Sequence, residues 1–257
     1  MKIALIINGI YRPHVQNAKA LVANMVDTFQ PDQVFFQTWD NHKDKLLGGL
    51  MLPMLMPKNS HFRNQSIPFY TPPEPVMNYH PVGNNPGAAK HGKYKNYFDK
   101  KLMWEKLQHA SKQILGYAHA FEQAGDFDVY IRTRYDVLVD PKMDWDYFLE
   151  ESANGPIGFG IRPNRGQTLD GTYKILPKED YDGYEKERGC RFEADDWYGF
   201  LPDPLIMHRK EHFDVNLVNS LHESGKLICG EWGWYQVMSE PYNDWHLSVH
   251  GGATIIR

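Results

Sequence analysis

The first 39 residues place an apolar strand, an amphipathic helix and a second apolar strand in that order. Residues 2–8 (KIALIIN) end at Gly9, which predicts a buried strand. Residues 15–29 carry apolar side chains at helical spacing up to Pro31, and residues 34–39 predict the second strand. Two parallel strands need a crossover of this kind. We therefore expect an α/β fold whose mostly parallel central sheet is flanked by helices and long loops.

Beyond residue 40, predicted helices and strands alternate with two long loops, at residues 41–94 and 162–194. Neither an internal repeat nor a linker-like composition divides the chain, so a single domain over residues 1–257 is predicted. The other predicted elements are a helix at 96–123, strands at 128–140 and 156–161, a helix at 145–150, short strands at 197–200 and 205–208, helices at 211–224 (ended by Gly225) and 231–238, and a strand pair at 246–256.

The strand predicted at residues 128–140 carries the strongest indication of function. Arg132, Arg134 and Asp136 interrupt its β-branched and aromatic side chains, and at the two-residue period of a strand all three project from one face. A buried charge is costly unless it is paired or coordinated. Two guanidinium groups beside a carboxylate suit an anionic ligand that carries a metal ion, such as a diphosphate. An internal Arg–Asp salt bridge is the alternative.

The overall composition excludes several classes of function. A net charge of −4 argues against a protein that binds nucleic acid. No apolar run is long enough to span a bilayer, and the N-terminus lacks a signal-peptide pattern. Cys190 and Cys229 form neither a disulfide framework nor a metal-ligand pattern, so a cytoplasmic setting is expected. The aromatic content of 14% fits a protein that handles sugars or bases.

Polar residues follow the first two predicted strands, at the edge where open α/β sheets bind ligands. Gly9 allows close approach of the backbone, and Arg12 can reach a phosphate or a base, although a plain turn with a solvated arginine is the alternative. Asp40 could accept hydrogen bonds from ribose hydroxyls or cap a helix. No GxGxxG or P-loop pattern is present, so neither type of nucleotide site is predicted.

Three further candidates lie in the second half of the chain. Asp196, next to Asp195, could act as a base on a substrate hydroxyl, or the pair could cap a turn. Glu231 lies among glycines and tryptophans, a setting that can hold a pyranose ring, although the tryptophans could simply close the core. His250 could supply an imidazole to a metal held by Asp136, or it could be structural.

In their order along the chain, these motifs resemble those of GT-A type, nucleotide-sugar-dependent glycosyltransferases, especially the small enzymes of phage, viral and bacterial polysaccharide gene clusters. The loops at 41–94 and 162–194 have no counterpart in this resemblance. The matching motifs are Gly-x-x-Arg at residues 9–12, Thr38-Trp39, a helix start rich in Lys and aromatic residues at 96–104, Arg-x-Arg-x-Asp at 132–136, Asp-Asp-aromatic-x-Gly at 195–199, a strand ending near Met207, and Gly-Glu at 230–231.

The resemblance implies a GT-A fold, a UDP- or GDP-type sugar donor, most simply a UDP-sugar, and a glycan or small-molecule acceptor. It implies Mn²⁺ or Mg²⁺ as a Lewis acid that links the donor diphosphate to Asp136. Arg132 or Arg134 would stabilise charge or hold the Asp136 rotamer. Asp196 or Glu231 would be the carboxylate on the acceptor side. The other donor-binding candidates are Gly9, Arg12, Asp40 and Lys101.

One departure from the family pattern concerns the metal. The usual motif is Asp-x-Asp, whereas this chain has Arg134 at the first position. A hard cation prefers several oxygen ligands, so donor phosphates, water and His250 would have to complete the shell around Asp136. A non-catalytic carbohydrate- or nucleotide-binding module therefore stays open, as does a metal-dependent hydrolase or nucleotidyltransferase. If the chain is viral, the expected location is the host cytoplasm.

Overall fold

A computed structural model of the protein describes residues 1–10, 18–50, 68–77, 101–160, 175–176, 201–227, 230–239, 241, 246–250 and 252–256. For residues 18–19, 49–50, 101–110, 175–176, 230–232, 248 and 250, the description covers the backbone alone.

Strands and helices alternate along most of the described chain. The strands are β1 (Ile3–Asn8), β2 (Gln33–Gln37), β3 (Phe69–Tyr70), β4 (Val129–Thr133), β5 (Val137–Val139), β6 (Ile157–Gly160), β7 (Ile175–Leu176), β8 (Leu205–His208), β9 (Leu247–His250) and β10 (Ala253–Ile255). The helices are α1 (Ala18–Phe29), α2 (Lys43–Leu50), α3 (Lys101–Ala124), α4 (Trp145–Glu151), α5 (Val215–Glu223) and α6 (Gly230–Met238), with 3-10 turns at Asp40–His42 and Lys210–His212.

Eight of these strands form one sheet in the order β3-β2-β1-β4-β8-β6-β9-β7. The pairs β2–β3, β1–β2, β1–β4 and β6–β9 are parallel. Strand β8 is antiparallel to both β4 and β6, and β7 is antiparallel to β9. Six of the eight strands therefore run in the same direction. The predicted α/β class, with a mostly parallel central sheet flanked by helices, is confirmed.

Side chains of the central strands alternate between two hydrophobic layers. From β1, Leu5 and Ile7 point to the layer that includes α1 and α4, while Ala4 and Ile6 point to the layer that includes α3, α5 and α6. Strands β1, β4, β6 and β8 are buried along their whole length because helices cover both faces. This explains why the first strand has a continuous apolar run instead of an alternating pattern.

The prediction of one continuous strand at residues 128–140 is wrong. Strand β4 ends at Thr133, residues 134–136 form a turn, and β5 then pairs with β10 in a separate two-stranded sheet. The turn allows Arg134 to bond Asp136 and directs the Tyr135 hydroxyl to the backbone oxygen of Gln37. In a straight strand, residues 134–136 would have continued the pairing of β4 with its neighbours. In the turn, Arg134 and Asp136 pair with each other instead.

Two other predictions also need correction. The loop predicted at 41–94 contains α2 and β3 within its described part. The last two strands do not pair with each other, because β9 joins the main sheet beside β6 and β10 joins β5. Their separation lets the end of the chain cross from the large sheet to the small one.

Helix boundaries follow local capping. The helix predicted at 211–224 begins at Val215, because the Asp214 carboxylate caps it by accepting from the Asn216 backbone N–H at 2.9 Å. Gly225 has φ +66° and donates to the backbone oxygen of His222, which confirms the predicted C-cap.

The predicted helix at 231–238 and strand at 205–208 are confirmed. Helix α4 and strand β6 also match their predictions. The strand predicted at 197–200, and the starts of the helices predicted at 15 and 96, lie outside the described residues.

Candidate functional site

Buried polar side chains gather at the edge of the sheet where the parallel strands β1, β2 and β4 end. The register places Asn8 beside Gln37, and Thr133 beside Ile7 on the other flank of β1. Strand β8 begins at the same edge, where Leu205 pairs with Thr133. This is the edge at which open α/β sheets bind ligands, so it is the candidate site.

Arg132 bonds to several elements that meet at this edge. Its Nε donates to the Asn8 side-chain oxygen at 2.7 Å, and one terminal nitrogen donates to the Gln113 side-chain oxygen at 2.7 Å. The other terminal nitrogen donates to the backbone oxygen of Asp203. The guanidinium carbon lies 4.5 Å from the centre of the Trp234 ring. Arg132 therefore joins β1, α3, α6 and the segment before β8.

Burial affects the charge of Arg132 but does not remove it. The side chain is fully buried, and burial lowers its pKa to about 10, although the Asp203 carboxylate acts in the opposite direction. At neutral pH the residue is still a cation. A buried cation with three hydrogen-bond acceptors and a π-face is stabilised where it lies, and it has little freedom to turn toward a ligand.

Arg134 occupies a different environment just beyond the end of β4. Its Nε and one terminal nitrogen donate to the two carboxylate oxygens of Asp136 at 2.8 and 2.7 Å. The other terminal nitrogen lies 3.9 Å from a carboxylate oxygen of Asp203. The side chains of Arg134, Asp136 and Asp203 are 16%, 8% and 13% exposed. The guanidinium therefore lies between two nearly buried carboxylates.

A straight strand predicted that the three residues of the Arg-x-Arg-x-Asp motif share one face. In the structure they do not. Arg132 lies in the layer below α3 and α6, whereas Arg134 and Asp136 pair in the turn that follows the strand. The internal Arg–Asp salt bridge, which was the structural alternative, is present.

Gly9 lies at the end of β1 with φ +121°, a conformation that favours glycine. Its N–H donates to the backbone oxygen of Gln37 at 3.2 Å, and the Tyr135 hydroxyl donates to the same oxygen at 2.8 Å. The turns after β1 and β4 are thus joined at the end of β2. The side-chain amide of Gln37 and the hydroxyl of Thr38 are buried and find no hydrogen-bond partner among the described residues.

Asp40 lies exposed at the start of the 3-10 turn that follows β2. Its carboxylate accepts from the Asn41 backbone N–H at 2.7 Å, so it stabilises the turn locally. Nearby, Glu74 accepts from Lys112 at 2.7 Å and from the Asn41 side chain at 2.6 Å. Burial raises the pKa of Glu74, but these two hydrogen bonds outweigh burial and the net pKa is lowered. Glu74 and Lys112 therefore attach the extended segment at 71–77 to α3.

The remaining predicted site residues are described by backbone position or not at all. Lys101 is the first residue of α3, and Glu231 is the second residue of α6. His250 ends β9, where it pairs with Gly160. Arg12 and Asp196 lie outside the described residues. Trp234, on the helix that carries Glu231, is fully buried over Arg132, so this tryptophan closes the core as the structural alternative proposed.

Asp203 was missed at the sequence level. It lies between Pro202 and Pro204 directly before β8, and the antiparallel pairing of β8 with β4 brings it to the candidate site. Its backbone oxygen accepts from Arg132 and its carboxylate faces Arg134. A carboxylate enclosed by two prolines ahead of an apolar strand is the signal that could have identified it.

The described residues do not form a ready-made site for the metal that the family resemblance implies. No group of three or more His, Cys, Asp or Glu residues in the described part of the chain could hold a metal ion. Both oxygens of Asp136 already accept hydrogen bonds from Arg134. A hard divalent cation needs several oxygen ligands, so these residues as arranged do not fit it.

Among the described helices, none combines the length and the apolar character needed to cross a membrane.

No protein-family model and no curated protein matches the chain. Solved structures similar to it include 4-diphosphocytidyl-2C-methyl-D-erythritol synthase from Anaerococcus prevotii, with 9% identity, coverage of 97% of this chain and 87% of that chain, and a TM-score of 0.46. They also include S. aureus TarS 1–349, with 11% identity, 99% and 60% coverage, and a TM-score of 0.45. Core-mannan synthase A from Aspergillus fumigatus in its Mn/GDP form has 12% identity, 88% and 65% coverage, and a TM-score of 0.39.

The chain spans less than two thirds of the length of the last two structures. The fold assignment rests on the strand order and directions described above.

Proposed function

We propose that the protein is a glycosyltransferase that moves a sugar from a nucleotide-diphosphate sugar to a hydroxyl group of a glycan or small-molecule acceptor. The observation that carries the proposal is the partly exposed Arg134 guanidinium, paired with Asp136, beyond the end of a central parallel strand. Ligands of open α/β sheets bind at this edge, and a fork of N–H donors suits phosphate oxygens. The order of motifs along the chain resembles that of nucleotide-sugar-dependent glycosyltransferases, and this resemblance is the reason for proposing a nucleotide sugar as the donor.

Each candidate residue has a chemical task in this proposal. Arg134 binds the donor diphosphate, and the Gly9 turn allows its backbone to approach the nucleotide. Asp40 accepts from ribose hydroxyls. Arg132 holds the end of β4 in place through its hydrogen bonds to Asn8 and Gln113. The remaining donor-binding candidates are Arg12 and Lys101.

The transfer exchanges one bond of the sugar for another. The bond between the anomeric carbon and the phosphate oxygen breaks, and the nucleoside diphosphate leaves with that electron pair. The acceptor oxygen bonds to the anomeric carbon, and its proton passes to a carboxylate. Asp196 and Glu231 are the proposed carboxylates for this proton transfer.

The metal belongs to the proposal in a limited form. The family resemblance implies Mn²⁺ or Mg²⁺ on Asp136, with His250 as a further ligand and UDP as the nucleotide. When bound, such an ion would neutralise charge on the departing diphosphate. The described residues do not provide that site while Arg134 occupies Asp136, so no step of the transfer is assigned to the ion.

A non-catalytic nucleotide-sugar-binding module is the second candidate. The observation that favours it is the pairing of the single motif carboxylate, Asp136, with an internal arginine. Such a module would bind the donor at the same edge and would neither transfer nor hydrolyse the sugar.

A thermal-unfolding panel of UDP-, GDP-, CMP- and dTDP-sugars, with and without MnCl₂, tests the proposed function. A ligand that binds only the folded state at a hundredfold excess over Kd stabilises it by about 2.7 kcal/mol. We expect one donor to raise the midpoint in wild type and in Lys210→Met, which removes an exposed cation paired with Asp126. We expect Arg134→Met to lose this shift.

The absence of a shift with every nucleotide sugar would contradict the proposal. A donor that binds but is neither transferred to sugar acceptors nor hydrolysed would favour the binding module instead.

A further inference from the structure

The carboxylate of Asp203 faces a cation but receives no hydrogen bond from the described part of the chain. Its side chain is 13% exposed, and one of its oxygens lies 3.9 Å from a terminal nitrogen of Arg134. This distance is too long for a hydrogen bond. Among the described residues, none donates a hydrogen bond to either carboxylate oxygen. Asp203 is therefore a nearly buried acceptor whose capacity is unused.

The local sequence explains why these donors are missing. Pro202 and Pro204 flank Asp203, and a proline has no backbone N–H group. By contrast, Asp214, which caps a helix, accepts from the backbone N–H of Asn216 at 2.9 Å. Neither neighbour of Asp203 can satisfy its carboxylate in this way.

An acceptor of this kind restricts the groups that can bind to it. Buried polar groups in folded proteins are nearly always hydrogen-bonded, because the loss of hydration is costly when nothing replaces it. A ligand that displaces water from the exposed part of Asp203 must bring donors, since an ionised carboxylate only accepts. Hydroxyl, amide and ammonium groups qualify, whereas phosphate oxygens do not.

Asp203 lies beside the residue to which the proposed function assigns the diphosphate. A phosphate oxygen bound by Arg134 would lie about 2.8 Å from a guanidinium nitrogen. The Asp203 oxygen lies 3.9 Å from one of these nitrogens. Phosphate and carboxylate repel each other, so the part of the donor that contacts Asp203 is an uncharged group attached to the phosphates. In a nucleotide sugar, that group is either the ribose or the transferred sugar.

The strand order favours the transferred sugar over the ribose. Strands β2 and β8 lie on opposite flanks of the β1–β4 pair. The proposed nucleoside contacts, Gly9 and Asp40, follow β1 and β2, whereas Asp203 directly precedes β8. A donor that lies along this edge with its diphosphate at Arg134 therefore has its sugar on the side of Asp203.

We propose that Asp203 binds a hydroxyl group of the transferred sugar and thereby selects the donor sugar. The hydroxyl donates to a carboxylate oxygen and replaces water there. The inference rests on the proposed function, since it takes Arg134 as the residue that binds the diphosphate. It also defines the class of sugar, which carries a free hydroxyl and no negative charge where it contacts Asp203. The competing role for Asp203 is only to offset the charges of Arg132 and Arg134.

Calorimetric titration separates the two roles by comparing each nucleotide with its sugars. The ligands are UDP, GDP, UDP-glucose, UDP-galactose, UDP-N-acetylglucosamine and GDP-mannose, and the sugar ratio is the Kd of the nucleotide divided by the Kd of its tightest-binding sugar conjugate. We expect Asp203→Ala to lower this ratio by about tenfold or more, because a hydrogen bond to a charged group is lost. Asp126→Asn, which removes an exposed carboxylate paired with Lys210, should leave it unchanged.

The sugar ratio is insensitive to indirect effects on the arginines. Any change that Asp203→Ala causes at Arg134 alters the binding of the nucleotide and of its sugar conjugate equally, so it cancels in the ratio. Asp203→Asn, which keeps the shape of the side chain, is the second variant in case Asp203→Ala does not fold, and thermal unfolding shows whether each is folded. An unchanged ratio in the folded variants would overturn the inference, as would an equal loss of affinity for nucleotide and nucleotide sugar.

Donors that lack single hydroxyl groups identify the contact directly. One deoxy form of the tightest-binding donor should bind wild type about tenfold more weakly than the parent, whereas Asp203→Ala should bind both with equal affinity. If every deoxy donor loses the same factor in Asp203→Ala as in wild type, Asp203 does not contact the sugar.

The outcomes also distinguish this inference from the proposed function. If nucleotide sugars bind and are transferred, but the sugar ratio does not depend on Asp203, the inference fails and the transferase proposal stands. If neither nucleotides nor nucleotide sugars bind wild type, the transferase proposal fails, and the sugar contact fails with it.

Discussion

At the scale of single residues, two arginines that are two positions apart have opposite roles. Arg132 stabilises the core, with its charge compensated by acceptors from three elements and by the Trp234 ring. Arg134 pairs with Asp136 in the turn that follows β4 and is partly exposed. The difference arises because β4 ends between them, so only the first arginine lies beneath the helices.

Replacement of Arg132 tests its structural role. Arg132→Met should lower the free energy of unfolding by about 3–5 kcal/mol, because buried acceptors on Asn8, Gln113 and Asp203 lose their donor. Urea denaturation measures the change. Lys210→Met, at an exposed ion pair, should stay within about 0.5 kcal/mol of wild type. A loss of less than about 1 kcal/mol for Arg132→Met would contradict the assigned role.

His208 provides a prediction for pH. Its Nδ1 lies 2.7 Å from the backbone oxygen of Arg209, which can only accept, so Nδ1 carries the proton. Its Nε2, 2.5 Å from the Tyr117 hydroxyl, then accepts from that group. Burial lowers the pKa of His208 from 6.5 to about 3, so the folded state keeps the ring neutral.

The sign of the pH effect follows from this lowered pKa. Below pH 6.5 the unfolded chain binds a proton that folded His208 does not, so stability is full above pH 6.5 and falls toward pH 3. The slope from this single group approaches about 1.4 kcal/mol per pH unit. Urea denaturation between pH 7.5 and about 4.5 should give a shallower slope for His208→Gln than for wild type. Parallel slopes would show that His208 is not the responsible group.

At the scale of elements, the segment before β8 lies directly on β6. A Cβ added to Gly158 would lie 2.7 Å from the backbone oxygen of Pro202, and one added to Gly160 would lie 3.1 Å from Pro204. Glycine at these positions lets the segment that carries Asp203 pass close to the sheet. Both prolines that flank Asp203 therefore pack closely against β6.

A pair of glycine substitutions tests this contact. Gly158→Ala should lower stability by about 1–3 kcal/mol, because backbone atoms of Pro202 must shift. Gly48→Ala, in helix α2 with nothing within 4 Å of the added carbon, should be neutral or stabilise by up to about 1 kcal/mol. Urea denaturation compares the two. Equal effects at both positions would show that the close approach at Gly158 carries no energetic weight.

At the scale of the whole molecule, the end of the chain supports the turn that holds Arg134 and Asp136. Strand β10 pairs with β5, and the backbone N–H of Ile256 donates to the backbone oxygen of Asp136 at 2.8 Å. On its other side, β5 is bonded by Asn24 of α1, whose side chain contacts both backbone groups of Val139. The turn is thus held by parts of the chain that are distant in sequence.

Removal of residues 253–257 deletes β10 and tests this support. We expect unfolding free energy to fall by at least about 2 kcal/mol, because Val137 and Val139 lose apolar cover and β5 loses its ladder. Nucleotide binding in the presence of Mn²⁺ should weaken as the Asp136 turn loosens. Lys210→Met, at an exposed ion pair, is the control. An unchanged urea midpoint and unchanged nucleotide affinity would contradict the support.

Much of the architecture could be predicted, because the burial of each element is recorded locally. The apolar runs of β1 and β8 and the period of α1 report directly on faces covered by neighbours. Helix α2, with only Leu46 buried among its described side chains, has a weak period and was missed. The break after Thr133 was missed because Arg134 and Tyr135 find partners that no local pattern reveals.

The sequence by itself determined the α/β class, the direction of the first strands and the presence of Arg132, Arg134 and Asp136 near the candidate edge of the sheet. Only the tertiary structure decided what those charges do. Asp203 reaches the site across 71 residues because β8 pairs antiparallel to β4. A pairing between distant strands brings opposite charges together, and an isolated segment carries no record of the partner it will meet.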